Sequence, residues 1–228
     1  MPSLTQLLAS HGRLLLLDAA SSHVHVGLLQ TGAPAVWHSS TQEAGIGLFA
    51  GVEAVLKSGR LGLPDIGAFA FCEGPGSMLG TRTVAMAIRT WLALQPRPAF
   101  HYQSLILLAH EIRRANKSAT FSIITDARRD TWHCVTSTAT GIQPLRRIAV
   151  TELAALEGDL FQPTAFRAWA TSPRPVKDYA YDVAALLATH AEDDLCTATD
   201  APDAFQHEAP EYKKWSAVGH SAATASPR

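Results

Sequence analysis

The chain has 228 residues, of which 47% are hydrophobic and 17% charged, so it is long enough to bury one large core or two small ones. Its formal net charge of −1 gives no general attraction to nucleic-acid backbones or anionic membranes. No stretch approaches the roughly 20 apolar residues that span a bilayer, and residues 1–12 lack the features of a signal peptide, so we expect a soluble cytoplasmic protein with no membrane contact.

The first part of the chain predicts a strand hairpin and then a third strand. Residues 13–18 form a continuous apolar run that ends in Asp18, which is typical of a strand covered on both faces. After a short turn, residues 23–29 alternate apolar and less apolar side chains, as the returning strand of a hairpin does. Residues 35–38 follow a turn with Gly and Pro and predict the third strand.

Two helices and one strand are predicted next. A helix from about Leu48 to Lys57 has its apolar residues on one face. After a break rich in Gly and Pro, the apolar run 66–71 predicts a strand, and the amphipathic stretch from Thr81 to Leu94 predicts a second helix. The order is strand, strand, strand, helix, strand, helix, which places the chain in the α/β class.

The turn between that strand and the second helix is the most informative stretch of the sequence. Residues 71–83 read Phe-Cys-Glu-Gly-Pro-Gly-Ser-Met-Leu-Gly-Thr-Arg-Thr. Glycine permits positive φ and lets another backbone or a ligand approach closely, while Pro75 fixes its own φ and removes a donor. Two interpretations stay open: an anion pocket or docking edge at a helix N-terminus, or a tight turn in which Ser77 or Thr81 is the N-cap. The turn residues concerned are Gly74, Gly76, Ser77 and Gly80.

A second unit begins near His101 and repeats the design of the first. After a predicted helix over 104–114, residues 121–126 form an apolar strand that ends in Asp126. A short turn and a returning strand over 132–137 follow. The pattern of apolar strand, Asp, turn and returning strand therefore occurs twice. This repetition fits the actin-like ATPase and sugar-kinase architecture, in which two related α/β domains each present a hairpin to a cleft.

The remainder of the chain gives a weaker signal. Residues 152–156 predict one helical turn, and residues 177–190 predict an amphipathic helix. The end of the chain, residues 216–228, is rich in Ser, Ala and Gly and is predicted to be disordered. The predicted domain limits are residues 12–100 with 178–215 for the N-terminal subdomain, and 101–177 for a smaller second one.

Cysteine and histidine spacing predicts neither a disulfide framework nor a metal site. The stretch His110-Glu111-Ile112-Arg113-Arg114 has Arg where the zinc-protease pattern needs its second His. His23 and His25 share a strand face, and a solvated or core-edge pair is favoured over a metal site with a third ligand. We expect buried thiols in a reducing compartment, because the cysteines are odd in number and far apart. The three cysteines are Cys72, Cys134 and Cys196.

Several segments together resemble one protein family. The turn sequence Gly74-Pro75-Gly76-Ser77-x-x-Gly80-x-Arg82 resembles the segment that marks the TsaB (YeaZ-like) family, the accessory subunit of the bacterial tRNA threonylcarbamoyl-adenosine (t6A) machinery. The first strand with Asp18, the hairpin Asp126-Ala127-Arg128, and Pro210-x-Tyr212-x-Lys214 agree with that family in order and spacing, with Lys in place of its final Arg. The departures are residues 41–47, which have no His, Met78-Leu79 where Phe-Thr is usual, and 140–174, where the family pattern cannot be traced.

This resemblance implies an α/β fold of the actin-like ATPase class (ASKHA, ribonuclease H-like), with two related subdomains, the second reduced. It also implies that the chain is a scaffold subunit of a complex. In that family the subunit pairs with a larger paralogue, TsaD, which holds the metal and transfers the threonylcarbamoyl group to an adenosine beside the anticodon. A separate ATPase, TsaE, regulates or recycles the complex. The resemblance therefore implies a chain without cofactor or catalytic residues, which meets tRNA indirectly and forms a homodimer when alone.

The predicted partner surface lies on two helices. Arg82, Met86 and Arg89 share one side of the helix that ends at Leu94, and Arg and Met are enriched in interface cores. Leu48 and Val52 on the preceding helix complete the predicted surface. An ordinary solvated face is the alternative.

A nucleotide site is the main functional alternative. An actin-like ATPase needs two hairpins whose small residues let phosphate oxygens approach backbone N–H groups. The first hairpin, with Asp18 and Ser21, still meets that need. The second has Arg128 and Arg129 after Asp126, and an Arg side chain does not supply the same backbone cradle. We therefore predict a non-catalytic subunit, with an actin-like phosphotransferase that has its own nucleotide site as the second hypothesis.

Overall fold

The computed structural model describes residues 1–116 and 120–206. The predicted tail 216–228 and the motif Pro210-x-Tyr212-x-Lys214 lie outside the described residues. None of the described helices is both long enough and apolar enough to cross a membrane. The helices are α1 (Leu4–His11), α2 (Ala44–Gly59), α3 (Met78–Leu94), α4 (Ser104–Ala115) and α5 (Val183–Thr189).

The strands form two sheets of mixed direction. The strands are β1 (Arg13–Asp18), β2 (Val24–Gln30), β3 (Ala33–Ser40), β4 (Ala68–Gly74), β5 (Ala99–Gln103), β6 (Phe121–Asp126), β7 (Thr131–Thr138), β8 (Gly141–Ile142), β9 (Arg146–Ala149), β10 (Asp159–Pro163), β11 (Lys177–Tyr179) and β12 (Thr197–Ala198). The first sheet has the order β12-β5-β4-β1-β2-β3. The second has the order β11-β10-β6-β7-β8, and β9 also pairs with β7.

Each sheet contains the hairpin that the sequence predicts. In the first sheet β1 runs antiparallel to β2 and parallel to β4. In the second, β6 runs antiparallel to β7 and parallel to β10. Both first strands end in an aspartate, Asp18 or Asp126, at the entrance to a tight turn. The repeated design is therefore present in the folded chain.

Strand β1 is buried on both faces, which explains its continuous apolar sequence. Leu14 and Leu16 belong to a core that also contains α1, α4, α5 and residues of the second sheet. Leu15 and Leu17 face the opposite way, into a second core built with α2 and α3. The first sheet is thus covered on one side by α2 and α3, and on the other by helices that separate it from the second sheet.

One predicted helix begins later than the sequence pattern indicates. Residues 177–190 are predicted to be helical, but Lys177–Tyr179 is strand β11 and pairs with β10. The reason lies in the cap: Asp182 accepts the Ala185 N–H at 3.1 Å, so α5 begins only at Val183. The chain before the cap stays extended and completes the second sheet.

The three cysteines are buried, as predicted. Burial raises the pKa of the Cys196 thiol from 9.0 to about 11, and burial also raises the pKa values of Cys72 and Cys134. A thiol whose pKa is higher in the folded state keeps its proton while the unfolded chain loses one. Stability is therefore fully present below the unfolded pKa of 9.0 and falls as pH rises towards 11.

We expect urea midpoints to decrease between about pH 8 and pH 11 for this reason. The Cys196→Ala variant should show a shallower decrease over the same range, because it lacks the thiol with the shifted pKa. A wild-type profile that stays level above pH 9 would contradict the burial of these thiols.

Candidate functional site

The glycine turn between β4 and α3 is approached by the backbone of the first hairpin. The Ser77 N–H donates to the Ala20 carbonyl at 2.7 Å. A Cβ atom on Gly80 would lie 2.1 Å from the Ala19 oxygen, and one on Gly76 would lie 2.2 Å from the Ala20 oxygen. Non-bonded atoms do not approach so closely, so both positions require glycine. The close approach that the sequence predicts is made by another part of the chain.

Helix α3 begins at this turn with a side-chain cap. The Ser77 Oγ accepts the Gly80 N–H at 3.2 Å, and the Thr81 Oγ1 donates to the Ser77 carbonyl at 3.1 Å. The Ser104 hydroxyl at the start of α4 donates to the Pro75 carbonyl at 2.6 Å. Ser77 is therefore the N-cap of α3, and these polar groups are engaged within the protein.

Asp18 is fully buried beneath the turn. Its Oδ1 accepts the Ala20 N–H at 2.9 Å, and its Oδ2 accepts the hydroxyls of Tyr102 at 2.7 Å and Tyr181 at 2.8 Å. Burial, reinforced by the Asp18 charge, raises the pKa of both tyrosines well above 10.0, so both hydroxyls keep the protons that they donate. Asp18 joins β1 to β5 and to the segment before α5, and it is closed to solvent.

The second hairpin aspartate is also engaged. The Asp126 Oδ1 accepts the Arg128 N–H at 2.6 Å, and its Oδ2 accepts the N–H groups of Trp169 and Ala170, the latter at 2.8 Å. The Arg128 guanidinium lies 5.4 Å from the centre of the Trp169 ring, within cation–π range. Residues 128–130 have positive φ, which makes the turn tight without any glycine.

The chain between residues 165 and 170 connects the two hairpins. At one end the Ala165 carbonyl accepts the Ser22 N–H of the first turn at 2.7 Å. At the other end, the N–H groups of Trp169 and Ala170 bind Asp126. This segment therefore ties the turn of the first hairpin to the turn of the second.

A small pocket lies beside the glycine turn. It has a volume of 270 Å³ and is lined by the first hairpin, by the starts of α2 and α3, and by Arg167. This volume is below the range of about 300–1,000 Å³ that is usual for small-molecule sites. Ser21, Ser77 and Gly80 all line it, whereas Asp126 and Arg128 do not. Arg167 and Glu43 carry opposite charges, so the lining has no excess of positive charge to bind a polyphosphate.

Two residues of the predicted partner surface, both on helix α2, are not exposed. Leu48 and Val52 are predicted partner contacts, but they are buried in the core between α2 and the first sheet. The helix begins at Ala44, ahead of the predicted start, and its outward apolar residues are Ile46 and Phe49, which are 60% and 54% exposed. Leu48 and Val52 are therefore not accessible to a partner in this structure.

Helix α3 continues the exposed apolar surface. Leu79 and Met86 are 64% and 56% exposed, and the exposed Arg82 and Arg89 lie on the same side of the helix. The Phe49 ring of α2 packs edge-on against Trp91 of α3, with 6.3 Å between the ring centres, so the two helices are neighbours. We call this surface the outer apolar face; it consists of Ile46, Phe49, Met78, Leu79 and Met86.

Histidines are brought together in two places. The rings of His23 and His25 stack with 5.9 Å between their centres. In the part of the chain that the structure describes, the group with three potential metal ligands lies elsewhere and consists of His110, His190 and Asp193. The sequence predicts no metal site there, because only His110 belongs to a recognisable local pattern.

Comparison with known proteins identifies the fold. No family model and no curated protein matches the chain. YeaZ from Pseudomonas aeruginosa aligns with a TM-score of 0.59 at 21% identity, over 79% of this chain and 90% of YeaZ. An uncharacterised protein with similarity to peptidase YEAZ from Pseudomonas aeruginosa aligns with a TM-score of 0.57 at 21% identity, over 81% of this chain and 97% of its own. The chain therefore has the YeaZ fold, which confirms the predicted α/β fold class.

Proposed function

We propose that this chain is a non-catalytic subunit of TsaB type, which binds and stabilises a TsaD-like threonylcarbamoyltransferase for t6A modification of tRNA. The YeaZ fold supports this proposal, and so does the family's glycine-turn motif, whose glycines accommodate the first hairpin. In this complex the TsaD-like paralogue performs the transfer and contacts the adenosine next to the anticodon. A TsaE-like ATPase acts on the assembled complex.

The outer apolar face is the observation that carries the proposal. Ile46, Phe49, Leu79 and Met86 are each more than half exposed on two adjacent helices. Clustered apolar side chains of this kind mark sites of protein association, since isolated ones are normal but groups of them are not. Arg82 and Arg89 border them and supply the polar rim that interfaces usually have.

The two hairpin aspartates support a scaffold over a phosphotransferase. Asp18 is closed to solvent, Asp126 is held by three backbone N–H groups, and the chain 165–170 connects the two hairpins. The hydroxyl of Ser77 caps a helix, which also disfavours a role as a peptidase nucleophile. We infer that the chemistry of the complex resides in the partner.

Substitution of the outer apolar face tests this proposal. We expect the wild-type chain to co-purify with the TsaD-like protein of the same organism at low salt. The exposed substitution Met86→Asp should weaken that association by about 30-fold or more, as loss of an interface hot spot of about 2 kcal/mol does. Ile46→Asp should act in the same direction. Calorimetric titration of one purified protein into the other measures the change.

Ala139→Asp is a matched control, because it adds the same charge at an exposed position in the turn between β7 and β8. It should bind the partner as the wild type does. Alone, the wild type should form a homodimer through the outer apolar face, and light scattering should show Met86→Asp as a monomer. Failure of the wild type to associate would reject the proposed interface. Equal affinity of Met86→Asp and Ala139→Asp for the partner would reject it as well.

A further inference from the structure

A group of histidine and carboxylate side chains joins α4 to the chain after α5. His110 lies on α4, His190 ends α5, and Asp193 follows three residues later. The Nδ1 atoms of both histidines lie 2.8 Å from the same atom, the Asp193 Oδ2. All three ligand atoms lie within 4.8 Å of one another. Three side chains from two separate parts of the chain thus converge on one point.

The innermost histidine is oriented by a second carboxylate. The His190 side chain is only 4% exposed, and its Nε2 lies 2.8 Å from the Glu111 Oε2. Arg114 donates to both Glu111 oxygens, at 2.7 and 3.0 Å. Glu111, held by these two hydrogen bonds, is therefore a fixed acceptor that directs the His190 Nδ1 towards Asp193.

We propose that His110, His190 and Asp193 form a binding site for a divalent transition-metal ion, with Zn²⁺ as the ion that suits these donors best. Two imidazoles and one carboxylate are a frequent protein donor set for zinc. The ring nitrogen of a zinc-bound histidine that faces away from the metal usually donates to a carboxylate, which is the position of Glu111 here. This inference is independent of the proposed partner binding.

Binding requires the three ligand atoms to change their spacing. Donors about 2.0 Å from a tetrahedral ion lie about 3.3 Å apart, so the two histidine–Asp193 separations of 2.8 Å would widen by about 0.5 Å. The ligand nitrogens of the two histidines, which lie within 4.8 Å of each other, would take the same spacing. The ion would take the place of the contacts between the histidine Nδ1 atoms and Asp193, while the His190 Nε2 keeps its contact with Glu111. An adjoining open cavity of 630 Å³, also lined by Arg113, Ile142 and Thr189, gives the ion access and leaves room for a water as fourth ligand.

Metal titration of the full chain tests the proposal. After chelator treatment, we expect one equivalent of Zn²⁺ to bind in calorimetry and to raise Tm, since binding to the folded state alone stabilises it. Co²⁺ should give the visible absorption of a tetrahedral site. His110→Gln and Asp193→Ala should abolish the Co²⁺ absorption and the Zn²⁺-dependent rise in Tm. Both replaced side chains are partly exposed, so Tm in chelator verifies that each variant folds.

Two further variants, one at Glu111 and one at a control histidine, distinguish a specific metal site from non-specific binding at the surface. Glu111→Gln keeps all three ligands and should weaken binding by about 10- to 100-fold. His23→Gln removes a histidine that lies outside the three-ligand group and should leave binding unchanged. If the wild type neither binds Zn²⁺ nor gains Tm, the three side chains form only a hydrogen-bonded cluster, and the proposal is overturned. Binding that survives in both His110→Gln and Asp193→Ala overturns it as well.

Discussion

Gly80→Ala should destabilise the protein by about 3 kcal/mol or more, although alanine is normally the better helix residue by about 1 kcal/mol. The added Cβ would lie 2.1 Å from the Ala19 carbonyl oxygen. That oxygen belongs to the tight turn of the first hairpin, where the neighbouring Ala20 carbonyl accepts a hydrogen bond from the Ser77 N–H. The turn cannot move away from the added Cβ without loss of this hydrogen bond. Urea unfolding monitored by circular dichroism measures the difference in the free energy of unfolding.

Gly45→Ala is the matched control, since Gly45 also lies in the first turn of a helix. Its added Cβ would meet only the Glu43 carboxylate at 3.6 Å, an ordinary contact. This variant should be as stable as the wild type or more stable by up to about 1 kcal/mol. If both alanine variants had the same stability, the first hairpin would not pack against α3 as the structure shows.

The local parts of the fold were predictable because they depend on neighbouring residues. The continuous apolar run of β1 requires burial on both faces, and the two cores on either side of that strand supply it. Helix α1 could have been predicted as well. Ser3 and Gln6 form a capping box, and their spacing in the sequence is that of a helix start.

The predicted start of α2, Leu48, is later than the observed start, Ala44, and the cause is local. Glutamate is not among the preferred N-cap residues, so Glu43 gives little signal for a helix that begins at Ala44. With the start placed at Leu48, the inward apolar positions are the ones that stand out. The outward residues Ile46 and Phe49 become visible only when the helix is extended by its first turn.

The long-range parts of the site were not predictable from one sequence. Asp18 binds Tyr102 and Tyr181, which are 84 and 163 residues away, and nothing local marks either tyrosine as its partner. His190 meets Glu111 across 79 residues in the same way. Such contacts depend on the strand order and on the packing of elements that are distant in the sequence, so they appear only once the topology is known.

Asp18→Ala should cost about 4 kcal/mol of unfolding free energy. The substitution leaves the hydroxyls of Tyr102 and Tyr181 and the Ala20 N–H without their acceptor in a fully buried site. Each buried donor without a partner costs about 1–3 kcal/mol, and the cavity left by the carboxylate adds to the loss. Urea unfolding of the variant beside the wild type measures the cost.

A double-mutant cycle separates this network from a general loss of packing. In the wild-type background, Tyr102→Phe and Tyr181→Phe should each cost about 1.5–3 kcal/mol, because each removes a hydrogen bond to a charged group. In the Asp18→Ala background the same changes should be nearly neutral or stabilising, since they remove hydroxyls that already lack an acceptor. Additive effects would mean that the tyrosines do not act through Asp18. Micromolar binding of Mg-ATP by the isolated chain, abolished by Asp18→Ala, would favour the phosphotransferase over the scaffold.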